Sequence, residues 1–276
     1  MNSIVSAELF RLSKTKWYKT LLVVFAAICV LVAAVIFIVM AQLVNVYGEA
    51  MSSQVWTSYG PTVIQTLLSA MTPLGSVSNV FVLISVSVFV CKELNQRTVS
   101  NALVAGKSRA QVFFAYLCVG AIIGASFYVV FAVVCGVCTP IICSLAGIAA
   151  SKAISAYSTC LLLGLLSTAF CVSVVVLFAF VTKSQGGSIM LPLVACVFLP
   201  SAISTVITIA ELVAQVNGYV ISAVTLSWIP IYNITLFNPF AADCWTEMLK
   251  IALYEVIFVG GFVGLGYLAA KNAELK

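Results

Sequence analysis

The side chains that could do chemistry in this 276-residue chain are few, because it has no histidine and only eight aspartates and glutamates. Histidine is the commonest general base, so its absence removes most arrangements that activate a nucleophile. Cys135 and Cys138 form a CxxC pair, but a zinc site needs a second pair or histidines. Residues 105–108 read Ala-Gly-Lys-Ser, like the end of a phosphate-binding loop, yet that motif needs glycine where the chain has Asn101. We therefore expect no catalytic residue, bound cofactor or metal in this chain.

The elements that must position any functional residue are hydrophobic. The chain is 63% hydrophobic and 8% charged, with a mean hydropathy of +1.19. A helix needs about 20 apolar residues to cross a hydrocarbon core of about 30 Å, and at such lengths only helices satisfy their own backbone hydrogen bonds in lipid. We predict an all-α integral membrane protein in which residues 1–276 form a single domain with six transmembrane helices. The predicted spans are residues 21–44, 73–91, 112–134, 157–181, 189–210 and 251–270.

The basic residues predict the orientation of these helices. All but two of the thirteen lysines and arginines fall before the first span, between the second and third, just after the fourth, or after the sixth. Such residues stay on the cytoplasmic side of a membrane. Both termini and the loop over residues 92–109 are therefore predicted to be cytoplasmic, and Lys152 and Lys250 to lie outside. The net charge of +5 is then a topology signal and does not predict nucleic-acid binding.

The ten cysteines do not define a disulfide framework. Six of them lie within or beside the predicted spans, where a thiol packs as a small hydrophobic group. The others lie nearer the outer face, where a disulfide could form, and the sequence does not assign one. These are Cys135, Cys138, Cys143 and Cys244.

One polar segment interrupts the hydrophobic chain, and residues 91–117 read CKELNQRTVSNALVAGKSRAQVFFAYL. Val99, Ala102 and Leu103 fall on one face at helical spacing, which predicts a short helix at or below the membrane surface. Gly106 is suited to end that helix in the left-handed conformation, and Ser108 is suited to cap the next helix. The alternative is an ordinary cytoplasmic loop that is basic only because of topology.

The same segment resembles the first cytoplasmic loop of permease subunits of type-2 ABC exporters, in the bacterial branch of peptide-antibiotic immunity and drug-export permeases. The shared frame is E-x4-T-x2-N-x-L-x2-G-x-S-R, from Glu93 to Arg109, although many relatives have glycine where this chain has Arg97. In those permeases the segment is the coupling helix that docks on a separate ATPase. The resemblance therefore implies an ATPase-coupling role for Glu93, Arg97, Thr98, Val99, Ala102, Leu103, Gly106, Ser108 and Arg109.

Residues 1–19 carry a second amphipathic pattern. Val5, Leu9 and Leu12 form an apolar stripe at helical spacing, and basic residues, Arg11 and Lys14 among them, gather toward its end. This pattern predicts a helix that lies in the membrane interface. The resemblance implies an elbow helix along the inner leaflet, beside the ATPase. The alternative is a basic tail that only orients the first span.

Irregular structure is expected toward the end of the chain. Residues 211–248 are too many for a tight turn and include Trp228 and Trp245, a residue type that favours membrane interfaces. The resemblance implies a re-entrant outer segment here, before the last helix. Within the fifth span, Pro192 and Pro200 lack the N–H that a helix needs, which predicts a bent or broken helix.

Glu255 is the one ionisable residue placed clearly inside a predicted span. An acidic group there costs at least about 2.5 kcal/mol on permissive insertion scales, so it should face protein, water or a partner. One interpretation is a polar contact in the translocation pathway or a subunit interface. The other is a shallow carboxylate that reaches headgroup water and pairs loosely with Lys250.

The resemblance implies a permease subunit of an ATP-driven exporter in the bacterial cytoplasmic membrane. Such a subunit pairs with a second permease chain, identical or related, and with two ATPase subunits, which bind the ATP and Mg²⁺. The hydrophobic composition favours an amphipathic or lipophilic substrate, such as an antimicrobial peptide, a drug or a lipid-like molecule, so multidrug export or peptide resistance is the expected role. A secondary transporter and a non-transporting membrane scaffold or sensor are the alternatives, although the spans offer only Glu255 as a coupling residue.

Overall fold

The computed structural model describes residues 2–47, 76–95, 104–145, 150–182, 184–198, 202 and 244–272. This part of the chain consists of helices and short connections, with no strand in it, so the all-helical prediction is confirmed there. The helices are α1 (Asn2–Lys14), α2 (Lys16–Tyr47), α3 (Ser76–Asn95), α4 (Arg109–Leu145), α5 (Ala150–Thr182), α6 (Gln185–Leu193) and α7 (Cys244–Asn272), and a π-helical segment, Val194–Phe198, continues α6.

Four of the described helices are long and apolar enough to cross a membrane, namely α2, α4, α5 and α7. They match the first, third, fourth and sixth predicted spans, which gives the chain the character of a membrane protein. The second predicted span corresponds to α3 and the fifth to α6 with its π-helical segment, and neither is among the four. Most of residues 199–210 lie outside the described part, so the six-span layout and the single-domain assignment stay predictions.

The core of the bundle forms around α3 and α5. Between residues 78 and 94 of α3 only Lys92 is exposed, and α5 is buried along most of its second half. α5 packs against α3, α4, α6 and α7, whereas α2 packs mainly against α4. A ring cluster joins α2, α3 and α4, because the ring centroid of Phe25 lies 4.8 Å from that of Phe81 and 5.3 Å from that of Phe127. Aromatic pairs at such spacing stabilise a core beyond the area they bury.

α4 and α5 approach each other closely where α4 has a glycine. A Cβ on Gly124 would lie 2.9 Å from Cγ2 of Thr168 and 3.0 Å from Cγ2 of Val172. These distances leave no room for a side chain at position 124. Small residues allow the same close approach at helix crossings in membranes generally.

α6 changes its hydrogen-bond register just after a proline. Ser184 caps the start of α6, where its Oγ accepts from the N–H of Gly187 at 3.2 Å. Pro192 lies buried near the end of α6, and the π-helical segment begins two residues later. Proline removes a donor from the helical ladder, which accounts for a change of register near Pro192, while a bend or break of the fifth span stays a prediction. Pro200 lies outside the described residues.

Candidate functional site

Four helices meet in polar contacts at one end of the bundle. Arg109, at the start of α4, donates through Nη1 to the carbonyl oxygen of Lys271, near the end of α7, at 2.7 Å. Arg11 of α1 donates through Nη1 to Oε2 of Glu93, near the end of α3, at 2.8 Å. We call this region the basic end. Lys14 and Lys92 lie on the same ends of α1 and α3, Lys16 and Lys19 lie at the start of α2, and Lys107 precedes α4.

An ion cluster, Glu8–Arg11–Glu93, joins α1 to α3. Arg11 Nη1 lies 3.2 Å from Oε1 of Glu8 and 2.8 Å from Oε2 of Glu93. Both carboxylate side chains are enclosed, at 8% and 5% exposed, whereas the Arg11 side chain is 44% exposed. Burial raises the pKa of the Glu8 carboxyl and the charge of Glu93 raises it further, while Arg11 partly offsets both effects. One guanidinium thus serves two carboxylates, and its charge-assisted hydrogen bonds fix α1 against α3.

The apolar stripe of α1 packs against the bundle. Leu12 is buried, and Val5 and Leu9 are half-buried against the core. Away from this contact, Phe10 is 65% exposed and the Lys14 ammonium lies 5.6 Å from its ring centroid. The stripe thus lies on the face of α1 that packs against the bundle, and the predicted position of α1 in the membrane interface stays a prediction.

The end of the predicted coupling loop has the predicted backbone. Gly106 has a φ of +81°, a left-handed conformation that glycine adopts at no steric cost. Ser108 Oγ accepts from the N–H of Gln111 at 3.2 Å, and Gln111 Oε1 accepts from the N–H of Ser108 at 3.2 Å. This reciprocal pair is a capping box, which fixes the start of α4. Sequence analysis did not identify Gln111 as the second residue of this capping box, although a glutamine three residues after a serine is the pattern that indicates one.

Arg109 has a structural role that sequence analysis did not predict. The last carbonyl groups of a helix have no partner within it, and Arg109 donates to one of them at Lys271. A cation near a helix C-terminus is also favoured by the helix dipole. The two residues are 162 positions apart, so no local pattern could have indicated the contact. The loop before α4 is thereby connected to the end of α7.

The middle of the predicted coupling segment lies outside the described residues. The residues concerned are Arg97, Thr98, Val99, Ala102 and Leu103, so their coupling role stays a prediction. Most of the outer segment over residues 211–248 also lies outside the described residues, so its re-entrant form stays a prediction.

Glu255 of α7 lies inside the bundle. Its side chain is fully buried, and neither carboxylate oxygen has a hydrogen-bond partner among the described residues. The structure therefore supports neither contact with headgroup water nor a bond to Lys250. A role in a pathway or an interface stays a prediction.

Within the described ranges, no three side chains of the metal-binding types come together. None of the cysteines whose side chains are described there forms a disulfide, and this includes Cys135 and Cys138. Cys143 and Cys244 lie outside the described side chains, so an outer disulfide between them is untested.

No protein-family model matches this sequence, and no curated protein is a significant match to it. The likeness to exporter permeases therefore rests on the loop residues from Glu93 to Arg109.

Proposed function

We propose that this chain is the permease subunit of an ATP-driven exporter in the bacterial cytoplasmic membrane, with both termini cytoplasmic. It pairs with a second permease chain, identical or related, and with two ATPase subunits that bind ATP and Mg²⁺. Its own residues supply no nucleotide site. The observation that carries the proposal is that both ends of the loop between α3 and α4 are fixed to other helices.

The loop between α3 and α4 begins and ends in polar contacts. At its start Glu93 binds Arg11 of α1, with Nη1 2.8 Å from Oε2. At its end Arg109 binds the carbonyl of Lys271 in α7 at 2.7 Å, and the Gly106 turn sets the direction of α4. A loop that serves topology alone needs none of these contacts. A loop connected in this way can transmit a movement of a bound partner to α1, α3, α4 and α7.

The proposed mechanism uses this connection. Closure of the ATPase dimer moves residues 96–103, and α3 and α4 move with them as rigid bodies. Both helices are packed against α5, so the movement reaches the rest of the bundle. The bundle then shifts between inward-open and outward-open arrangements, and substrate leaves at the interface of the two permeases. Such coupling requires that the contacts with the ATPase differ between the two states.

An apolar cavity supports the proposed class of substrate. It lies between the halves of α2 and α4 that are away from the basic end, and its volume is about 330 Å³. Its lining among the described residues is uncharged and includes Val30, Phe37, Ile38, Cys138 and Ile141. Such a surface can hold the apolar part of an antimicrobial peptide, drug or lipid-like molecule that arrives from the bilayer.

Purification of the tagged chain from its native membranes in a mild detergent tests the proposal. We expect mass spectrometry to find a Walker-motif ATPase in stoichiometric amounts, and the preparation to hydrolyse ATP. Recovery of the chain alone, even after cross-linking through residues 92–109, would remove the basis of the exporter proposal.

Substitutions on the predicted apolar face of the coupling segment test its role. Val99→Asp and Leu103→Asp should abolish binding of the ATPase or transport-coupled ATP hydrolysis, with membrane insertion unchanged, because a charge on that face opposes apolar docking. Ser100→Asp adds the same charge off that face and is the matched control. Full activity of the Leu103→Asp protein would count against this segment as the coupling element.

A secondary transporter is the second candidate, and Glu255 is the observation that favours it. Buried carboxylates within membrane-spanning helices commonly mark ion or proton pathways, and Glu255 is fully buried without a hydrogen-bond partner among the described residues. Transport into reconstituted vesicles distinguishes the candidates. Uptake driven by an ion gradient without ATP, and lost in Glu255→Gln, would favour the secondary transporter.

A further inference from the structure

A cavity lies beside the Glu8–Arg11–Glu93 cluster, between α1, the start of α2 and the end of α3. Its volume is about 290 Å³, close to the roughly 300 Å³ at which small-ligand pockets begin. Part of its lining is aromatic, from Phe10, Trp17 and Phe89, and part is charged. The cavity is therefore amphipathic and suits a ligand with a polar and an apolar part.

The charged part of the cavity is cationic. Lys14 of α1 and Lys92 of α3 both line it, and both are exposed. Arg11 and Glu93 line it as well, with Nη1 and Oε2 2.8 Å apart. Even with the enclosed carboxylate of Glu8 included, cations outnumber anions here. An anionic ligand is therefore favoured over a cationic or neutral one.

The aromatic part of the cavity lies where the chain enters the membrane. The apolar stretch of α2 begins at Lys16, so the half-buried Trp17 lies at its first turn. Tryptophan favours the boundary between headgroups and acyl chains. We therefore expect the cavity to lie at the membrane boundary, at the basic end of the bundle.

We propose that this cavity binds the headgroup of an anionic phospholipid, with its phosphate between Lys14 and Lys92 and an acyl chain beside Trp17 and α2. A soluble phosphate would bind to Lys14 and Lys92 but would make no apolar contact with the aromatic rings. The cytoplasmic leaflet carries the negative surface potential that attracts basic segments, and the positive-inside rule places the basic end there. This inference goes beyond the exporter proposal and does not depend on ATP.

Native mass spectrometry of the detergent-purified full-length chain tests the proposal. The probes are phosphatidylglycerol and phosphatidylcholine with the same acyl chains, which differ in net charge. We expect preferential retention of phosphatidylglycerol. Lys14→Gln and Lys92→Gln should each weaken that retention about fivefold, the effect of one basic residue near an anionic surface.

Lys19→Gln is the matched control. Lys19 has the same charge, is exposed and belongs to the same end of the bundle, but it does not line the cavity. We expect retention of phosphatidylglycerol to be unchanged by this substitution. An equal loss in Lys19→Gln and Lys14→Gln would overturn the site in favour of diffuse surface attraction, and equal retention of the two lipids by the unmodified chain would overturn it as well.

Excess inorganic phosphate distinguishes a lipid from a soluble phosphate compound. Retention of phosphatidylglycerol in its presence supports the lipid, whereas displacement would overturn it and assign the cations to a soluble ligand. Quenching of Trp17 fluorescence by brominated phosphatidylglycerol is an independent measurement. Trp56, Trp228 and Trp245 also fluoresce, so we expect Trp17→Phe to lose only the part of the quenching that comes from Trp17, and equal quenching in both proteins would contradict a lipid at this cavity.

Discussion

At the scale of single residues, Arg11 balances two enclosed carboxylates, Glu8 and Glu93. Removing one partner of a buried ion pair costs about 3–5 kcal/mol, because the remaining charge stays desolvated. Since the Arg11 side chain is 44% exposed, water screens part of this interaction. We expect Arg11→Gln to lower the free energy of unfolding by about 1–3 kcal/mol.

Chemical denaturation in one detergent measures this loss. Lys14→Gln removes an exposed charge from the same helix and should change stability by less than about 0.5 kcal/mol. Equal stability of the two variants would mean that the cluster does not hold α1 against α3.

Glu8 should make this attachment depend on pH. Burial and the charge of Glu93 raise the pKa of Glu8, so the folded chain binds more protons than the unfolded chain above the ordinary carboxyl value of about 4.3. By linkage, stability then falls as the pH rises toward the raised pKa and is greatest below the ordinary value. We expect the melting temperature to fall, as the pH rises above the ordinary carboxyl value, by more in the unmodified chain than in Glu8→Gln. Parallel pH profiles for the two proteins would contradict this role.

At the scale of elements, the turn before α4 depends on a left-handed residue. A Cβ on Gly106 would meet no atom within 4 Å, so the cost of Gly106→Ala is conformational and amounts to about 1–2 kcal/mol. Asparagine adopts this conformation more readily, so Gly106→Asn is the matched control. We expect trypsin to cleave after Lys107 faster in the alanine variant, and near the original rate in the asparagine variant. Equal rates in all three proteins would show that the turn does not need a positive φ.

The crossing of α4 and α5 depends on the absence of a side chain. Gly124→Ala would place a methyl group 2.9 Å from Cγ2 of Thr168, and we expect this overpacking to cost about 1–3 kcal/mol. Gly260 of α7 has no atom within 4 Å of the equivalent position, so Gly260→Ala should be neutral or slightly stabilising. Denaturation of both variants in one detergent makes the comparison. A similar loss in both would point to a general effect of alanine in these helices.

Elements differ in how far the sequence predicts them. α2, α4, α5 and α7 are long and uniformly apolar, and such helices can be recognised without knowledge of their partners. α3 is harder, because its buried polar groups find partners far along the chain. Asn79 Nδ2 donates to Ser167 Oγ at 3.1 Å, and Ser87 Oγ donates to the carbonyl of Ser188 at 2.7 Å.

The candidate site shows the same division between local and distant contacts. Gly106 and Ser108 act on their own turn, so residue type and spacing were enough to predict them. The bonds from Arg11 to Glu93 and from Arg109 to Lys271 join positions 82 and 162 residues apart. No sequence period connects such positions, and the fold alone brings them together.

At the scale of the whole molecule, polar contacts hold the ends of four helices together at the basic end. The pairs Arg11–Glu93 and Arg109–Lys271 bring together α1, the end of α3, the start of α4 and the end of α7. A helix that starts at the basic end, such as α4, is therefore antiparallel to one that ends there, such as α3 or α7. Lys250 lies near the start of α7, at the opposite end from Lys271. This alternation is what repeated crossing of a membrane requires.

The orientation of the bundle is the last prediction. Basic residues stay on the cytoplasmic side, so the basic end should face the cytoplasm and Lys250 should face outward. We expect trypsin to cleave at Lys107, in the connection before α4, in inside-out vesicles but not in intact spheroplasts. Fusion of a fluorescent protein to the C-terminus should give fluorescence, because such reporters mature in the cytoplasm. The reverse cleavage pattern would place the loop between α3 and α4 outside, where no ATP is present, and the exporter proposal would then fail whatever the chain binds.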